Sequence, residues 1–252
     1  MGVLGFSIIS PVFNRAFSIG EAIQSLHAQT YSVWQHVVID GGSTDETLNV
    51  INQFPSGQRI LISEPDQGIY DALNKGFALA TGEVIGILHS DDLLANDRVL
   101  EQVAAAFSEP SVDAVFGDLE YVAAGDVTRV IRYWRSGECS RGRLAWGWMP
   151  PHPALFLRRR VIEQFGGYDT RYRISADYDA ILRYFWGGNI MSVYIPSVLV
   201  RMRVGGESNR SLSRILRKSW EDHLILRRNR VGGLGALAWK NFSKVGQFFR
   251  MV

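Results

Sequence analysis

Four short apolar runs, each followed by a stretch with helical spacing, fill the first ninety residues, and this alternation restricts the fold more than any other feature of the chain. Segments 6–12, 36–40, 59–63 and 83–88 read as strands, with helical patterns over 18–29, 44–54 and 69–80. In the first of these helices Ile19, Ala22, Ile23 and Leu26 form one apolar face. Strands that alternate with helices in this way form an α/β fold, a Rossmann-like, mostly parallel sheet with helices on both faces. A chain of 252 residues that is 46% hydrophobic can bury a core of that kind. In such sheets ligands bind beyond the carboxyl ends of the strands, so those ends are where chemistry is expected.

After Asp92 the alternation loosens. A helix is expected over 97–107, strands over 112–122 and 128–134, and a loop rich in Gly, Trp and Pro over 139–153. A strand over 154–157 and a helix over 159–165, stopped by Gly166 and Gly167, come next. Segment 177–186 reads as a helix and 190–204 as extended, where Pro196 marks an edge or a break. Two tail helices, 212–230 and 234–249, flank Gly232 and Gly233.

The second strand ends in Asp40-Gly-Gly-Ser-Thr-Asp45. Ser43, Thr44 and Asp45 suit the capping of the next helix, whereas Asp40 stands at the mouth of a buried strand. A carboxylate there can accept a hydrogen bond from a ligand, such as the imide N–H of a uracil. The fourth strand runs into His89-Ser90-Asp91-Asp92. Adjacent carboxylates repel, and a divalent cation relieves the repulsion; Mg²⁺ or Mn²⁺ typically takes one or two carboxylates together with substrate phosphates. Capping of the following helix is the other reading of that pair.

Ser7-Ile-Ile-Ser-Pro-Val-Phe-Asn14, Val38-Ile-Asp-Gly-Gly-Ser-Thr-Asp45, Ser63-Glu-Pro-Asp-Gln-Gly-Ile-Tyr-Asp-Ala-Leu-Asn-Lys-Gly76 and Ala80-Thr-Gly-Glu83 leading to Ser90-Asp-Asp92 together resemble glycosyltransferase family 2. The resemblance covers about 6–205. It implies a GT-A fold and inverting transfer from a nucleotide-diphosphate sugar, UDP-linked, with Mn²⁺ or Mg²⁺. It also implies that Pro11, Phe13 and Asn14 line the nucleotide pocket, that Asp40 binds the base, and that Asp66 and Lys75 flank it. Asp91 would contact ribose or metal, and Asp92 would ligate the metal. His89 stands where many relatives carry a carboxylate, although His can itself bind Mn²⁺. Asn74 and Lys75 also fit a simple pair on a helix surface.

The reaction needs a group that takes the proton of the acceptor hydroxyl. Ser175-Ala-Asp177-Tyr-Asp179 resembles the family segment that holds this base, which places the role on Asp177; Ser175 and the two aspartates equally suit a helix N-terminus. His152, Trp148 and Arg203 are expected to meet the acceptor or the diphosphate. On this reading 1–92 is the nucleotide-sugar half, 93–204 the acceptor half and 205–252 a tail. The alternative on the same fold is a non-catalytic sugar-nucleotide-binding or scaffold protein.

The formal net charge of +2 argues against a nucleic-acid partner, but the charge is unevenly spread: 203–252 has a net of +8 and 1–202 a net of −6. Basic residues flank apolar ones with helical spacing in the tail, including Trp239, Phe242 and Phe249, which suits an anionic membrane surface or packing on the protein. A lipid-linked glycan acceptor of a bacterial surface polysaccharide, such as a lipopolysaccharide, accords with the family. A single cysteine, no basic leader and no run near the roughly 20 apolar residues of a spanning helix point to a cytoplasmic enzyme, peripheral on the inner face of the membrane.

Overall fold

The computed structural model describes residues 4–204 and 212–232. Its first half follows the apolar periodicity closely. β1 (Phe6–Val12) is buried at every position and lies between β2 (Trp34–Asp40) and β4 (Val84–Ile87), with β3 (Arg59–Ser63) outside β2. All these pairings are parallel, and Phe6 stands opposite both Trp34 and Val84. A parallel register carries the four strand ends to one edge of the sheet.

Alternate residues of the strands face opposite layers. Ile9, Val37 and Ile39 pack with α3 (Ile69–Leu79), while Val12 and Val38 pack with α1 (Ile19–His27) and α2 (Thr47–Asn52). The expected face of α1, Ile19, Ala22, Ile23 and Leu26, is buried. Gly76 lets α3 lie against β1, because a Cβ there would overlap Ile9 Cγ2.

The second half turns the sheet into a mixed one of order β3-β2-β1-β4-β8-β6-β9-β5, with β7 also on β6. Its elements are β5 (Asp92–Leu94), α4 (Val99–Ala106), β6 (Ala114–Ala123), β7 (Asp126–Trp134), α5 (Arg141–Ala145), β8 (Leu155–Arg158), α6 (Arg159–Phe165), α7 (Ala176–Ile181), β9 (Ser192–Arg203) and α8 (Leu212–Arg228). β8 runs antiparallel to both β4 and β6, and β9 runs parallel to β6. Pro196 falls where the β6–β9 register shifts beside Asp118, so its missing N–H falls at a break in the ladder.

Three local expectations change. No strand is expected between 88 and 97, but Asp92 of β5 pairs with Met202 on β9. The helix after Asp177 widens at Leu182–Gly187 into a π-helical turn, where Arg183 reaches back to the carbonyls of Phe165, Gly166 and Gly167. Ser43 and Thr44 do not cap α2; Asp45 Oδ1 accepts the Thr47 N–H at 3.0 Å instead. The expected helix 234–249 lies outside the described residues. In α8 the apolar residues Ile225 and Leu226 are buried with Ala176, Tyr178 and Ile181 of α7.

Candidate active site

The ends of β1 and β2 are tied together by polar groups. Asn14, at φ +50°, donates its N–H to Ser43 Oγ at 2.8 Å and accepts the Thr44 N–H at 2.9 Å through Oδ1. Asp40 is fully buried. Its Oδ2 accepts from the N–H groups of Gly42 and Ser43 at 3.2 and 3.0 Å and from Ser63 Oγ at 2.7 Å, and its Oδ1 accepts from Ser43 Oγ at 2.5 Å. Asp40 therefore staples the loop. Pro11 is buried within β1, while Phe13 is exposed at the strand's end.

Asp66 is the partly exposed carboxylate of this edge. It lies over Gly41, where a Cβ would stand 2.5 Å from Oδ2, and its Oδ1 accepts the Gly68 N–H at 2.8 Å. Lys75 pairs with Glu64 at 2.7 Å and with Asp71 at 3.6 Å. Asn74 is not a surface partner of Lys75. Its amide exchanges two 2.8 Å hydrogen bonds with the backbone of Tyr168, pinning α3 to the turn after α6.

At the end of β4 the neighbouring carboxylates part company. Asp91 is partly exposed, and its carbonyl accepts from Arg203 Nη1 at 3.0 Å. Asp92 is wholly buried, with no hydrogen-bond partner for either carboxylate oxygen among the described residues. Burial, and then the Asp91 charge, push its carboxyl well above the usual carboxylate range. Arg203 is itself buried and bound to Glu21 Oε2 at 2.7 Å, which makes it a brace for the Asp91 loop.

His89 connects this edge to the second half. Its Nε2 lies 3.1 Å from His152 Nε2, and His152 Nδ1 lies 3.2 Å from Asp177 Oδ2. Burial, reinforced by His152, brings His89 down to about 3, so the ring is neutral near pH 7. The two rings and the Asp177 carboxylate thus form one polar connection from the end of β4 to α7. Tyr70 Oη donates to the Ile174 carbonyl at 2.7 Å and stands 3.2 Å from Asp177 Oδ1. Asp179, by contrast, is buried and paired with Arg183 at 2.7 Å.

Trp148 is partly buried. Its Nε1–H donates to the Ser136 carbonyl at 3.0 Å, and the Arg143 guanidinium lies over its ring at 4.6 Å. Trp146, two residues before it, is the exposed indole of the loop. The His89–His152–Asp177 connection was missed by sequence reasoning, although each residue drew attention separately; chain spacing alone does not bring 89, 152 and 177 together.

No cluster of three His, Cys, Asp or Glu side chains that could hold a metal ion occurs among the described residues. Mg²⁺ or Mn²⁺ that takes one carboxylate and fills its shell with phosphate oxygens and water needs no such cluster, and Asp91 fits that donor set. Asp92, wholly buried, offers two carboxylate oxygens with no hydrogen-bond partner among the described residues, and the His89 Nε2 is engaged by His152.

The parallel sheet of β1 to β4, extended by the mixed second half, is a GT-A glycosyltransferase architecture. Solved structures similar to this chain include S. aureus TarS residues 1–349 with UDP-GlcNAc (TM-score 0.67, 18% identity, 90% of this chain and 65% of that one). Another is the mannosyltransferase PcManGT of Pyrobaculum calidifontis with GDP-Man and Mn²⁺ (TM-score 0.67, 17% identity, 100% and 77%). Against a longer TarS chain the match spans only 39% of that protein. The sequence model of Glycosyl transferase family 2 matches residues 7–172. A PGL/p-HBAD biosynthesis glycosyltransferase of Mycobacterium bovis is 37% identical over 210 residues, 81% of this chain and 79% of that one. The chain belongs to glycosyltransferase family 2 and is a glycosyltransferase.

Proposed function

We propose that the enzyme transfers a sugar, with inversion, from a UDP-linked donor to a hydroxyl of a lipid-linked glycan or glycolipid, with Asp177 as the general base. The observation that carries this reading is the His89–His152–Asp177 connection, which sets a carboxylate of the second half against the end of the nucleotide-side sheet. The nucleotide sugars in the similar structures and the PGL/p-HBAD biosynthesis of the relative support the donor and acceptor classes.

With Asp40 occupied by four donors, Asp66 is the carboxylate that accepts the imide N–H of the base. Asn14 and the backbone of 41–44 shape the pocket floor, and Lys75 balances the acidic rim. Asp91 holds the divalent cation, Mn²⁺ or Mg²⁺, which when bound offsets the negative charge of the departing diphosphate. Asp177 takes the acceptor proton as the hydroxyl oxygen attacks the anomeric carbon and the bond to the diphosphate breaks. The outward face of α8 meets an anionic membrane, where a lipid-linked acceptor is found.

Calorimetric titration of UDP and GDP, with and without Mn²⁺, tests the donor site. UDP should bind only with the cation, and Asp91→Ala should weaken it by about 10-fold or more, the loss of roughly 1.4 kcal/mol. Preference for GDP would overturn the choice of base. No binding of either nucleotide to the folded protein would remove the donor site altogether.

A further inference from the structure

We infer that Glu221, on the tail helix α8, is a positioning residue for the base assigned to Asp177; the inference rests on that assignment. Glu221 is 6% exposed, and its carboxylate faces the turn that precedes α7. Oε1 accepts the Arg173 N–H at 3.1 Å, and Oε2 accepts the N–H groups of Ile174 and Ser175, both at 2.9 Å. Three successive backbone N–H groups converging on one carboxylate form an anion nest, and each bond is charge-assisted.

Among the described residues the turn has no other anchor of that kind. Ser175 occupies the N-cap of α7 without capping it, and its buried hydroxyl has no hydrogen-bond partner among the described residues. From the opposite side Tyr70 Oη holds the Ile174 carbonyl and reaches Asp177. The peptide groups of residue 174 are thus gripped at N–H by Glu221 and at C=O by Tyr70. Asp177 follows three residues later, on the first turn of the short helix. The end of α8 and the residue after it grip the neighbourhood twice more, through Arg228 to Asp169 at 2.6 Å and Asn229 to Asp179 at 3.2 Å.

These other contacts, with Ile225 and Leu226 in the core, hold α8 in place when the Glu221 carboxylate is removed. Glu221→Gln keeps the volume and one acceptor oxygen but turns an amide NH₂ toward backbone donors. In the full chain, kcat should fall by roughly 10²-fold, as a misplaced catalytic group does, while the donor KM and UDP affinity stay within about twofold. Because both residues serve one step, Glu221→Gln combined with Asp177→Asn should be no slower than Asp177→Asn alone.

An unchanged kcat in Glu221→Gln, beside an inactive Asp177→Asn, would overturn the positioning role and leave the base intact. Equal losses of kcat and UDP binding, with a lowered Tm, would make Glu221 a fold residue only. Full activity of Asp177→Asn would instead overturn the base assignment.

Discussion

Asp177 sits between the His152 ring and the Tyr70 hydroxyl, and its side chain is 16% exposed. Burial and the Asp177 charge hold Tyr70 well above its ordinary value, so the phenol stays a donor and cannot compete for the proton. Asp177→Asn keeps the shape but places an amide at the proposed base. Transfer should drop by about 10² to 10⁴-fold, with UDP binding unaffected, in paired turnover and calorimetric measurements. An equal loss of both would show that the carboxylate serves the fold. The sequence placed carboxylates correctly at strand ends, since an apolar run ending in Asp is a local signal. Their use was not local. Asp40 is held by Ser43 and Ser63, the latter on a neighbouring strand, and Asp92 is buried in β5, which pairs with a strand about a hundred residues away.

Among the elements, α8 has two unlike faces. The inner one carries Glu221, Ile225 and Leu226; the outer one exposes Leu216, Trp220 and Leu224 at helical spacing, with Arg217 and Arg227 also exposed. Glu221 and Asp222 are both buried, which leaves no acidic residue exposed between 216 and 228. An apolar stripe with basic residues and an indole suits the interface of an anionic bilayer. The protein should co-sediment with vesicles containing phosphatidylglycerol and not with neutral phosphatidylcholine, and Trp220→Glu should abolish the difference. Equal behaviour toward both vesicles would sink the lipid assignment. The helical period of α8 and the apolar face of α1 were legible because repeats within one element carry their own signal. A three-residue strand, a π-helical turn set by Arg183, and an N-terminus held by a glutamate on another helix have no such local record.

Over the whole molecule, stability should depend on pH through histidines that are kept neutral. His36 is fully buried; burial, and then the charges of His27 and Arg59, bring it down to about 3 from 6.5. It donates from Nε2 to Ser10 Oγ, at 3.0 Å, and that hydroxyl donates to the Leu88 carbonyl at 2.7 Å. Between those pKa values the unfolded chain binds the proton and the folded chain does not, so stability is full above 6.5 and falls as pH drops toward 3. One such group contributes up to about 1.4 kcal/mol per pH unit. Urea midpoints taken from about pH 6.5 to 4.5, above most of the carboxylate range, should decline, and His36→Gln should flatten part of the slope. An unchanged slope in a folded variant would mean that His36 is not the group responsible.

The sheet order also sets a timetable for synthesis. β1 to β4 find their parallel partners within the first ninety residues to leave the ribosome, whereas β5 waits for β9, and the turn before Asp177 waits for Glu221. A nascent chain therefore completes its parallel sheet long before it can brace the turn that leads to Asp177. Premature termination ahead of α8 would leave a product with its parallel strands paired and the turn before Asp177 unbraced.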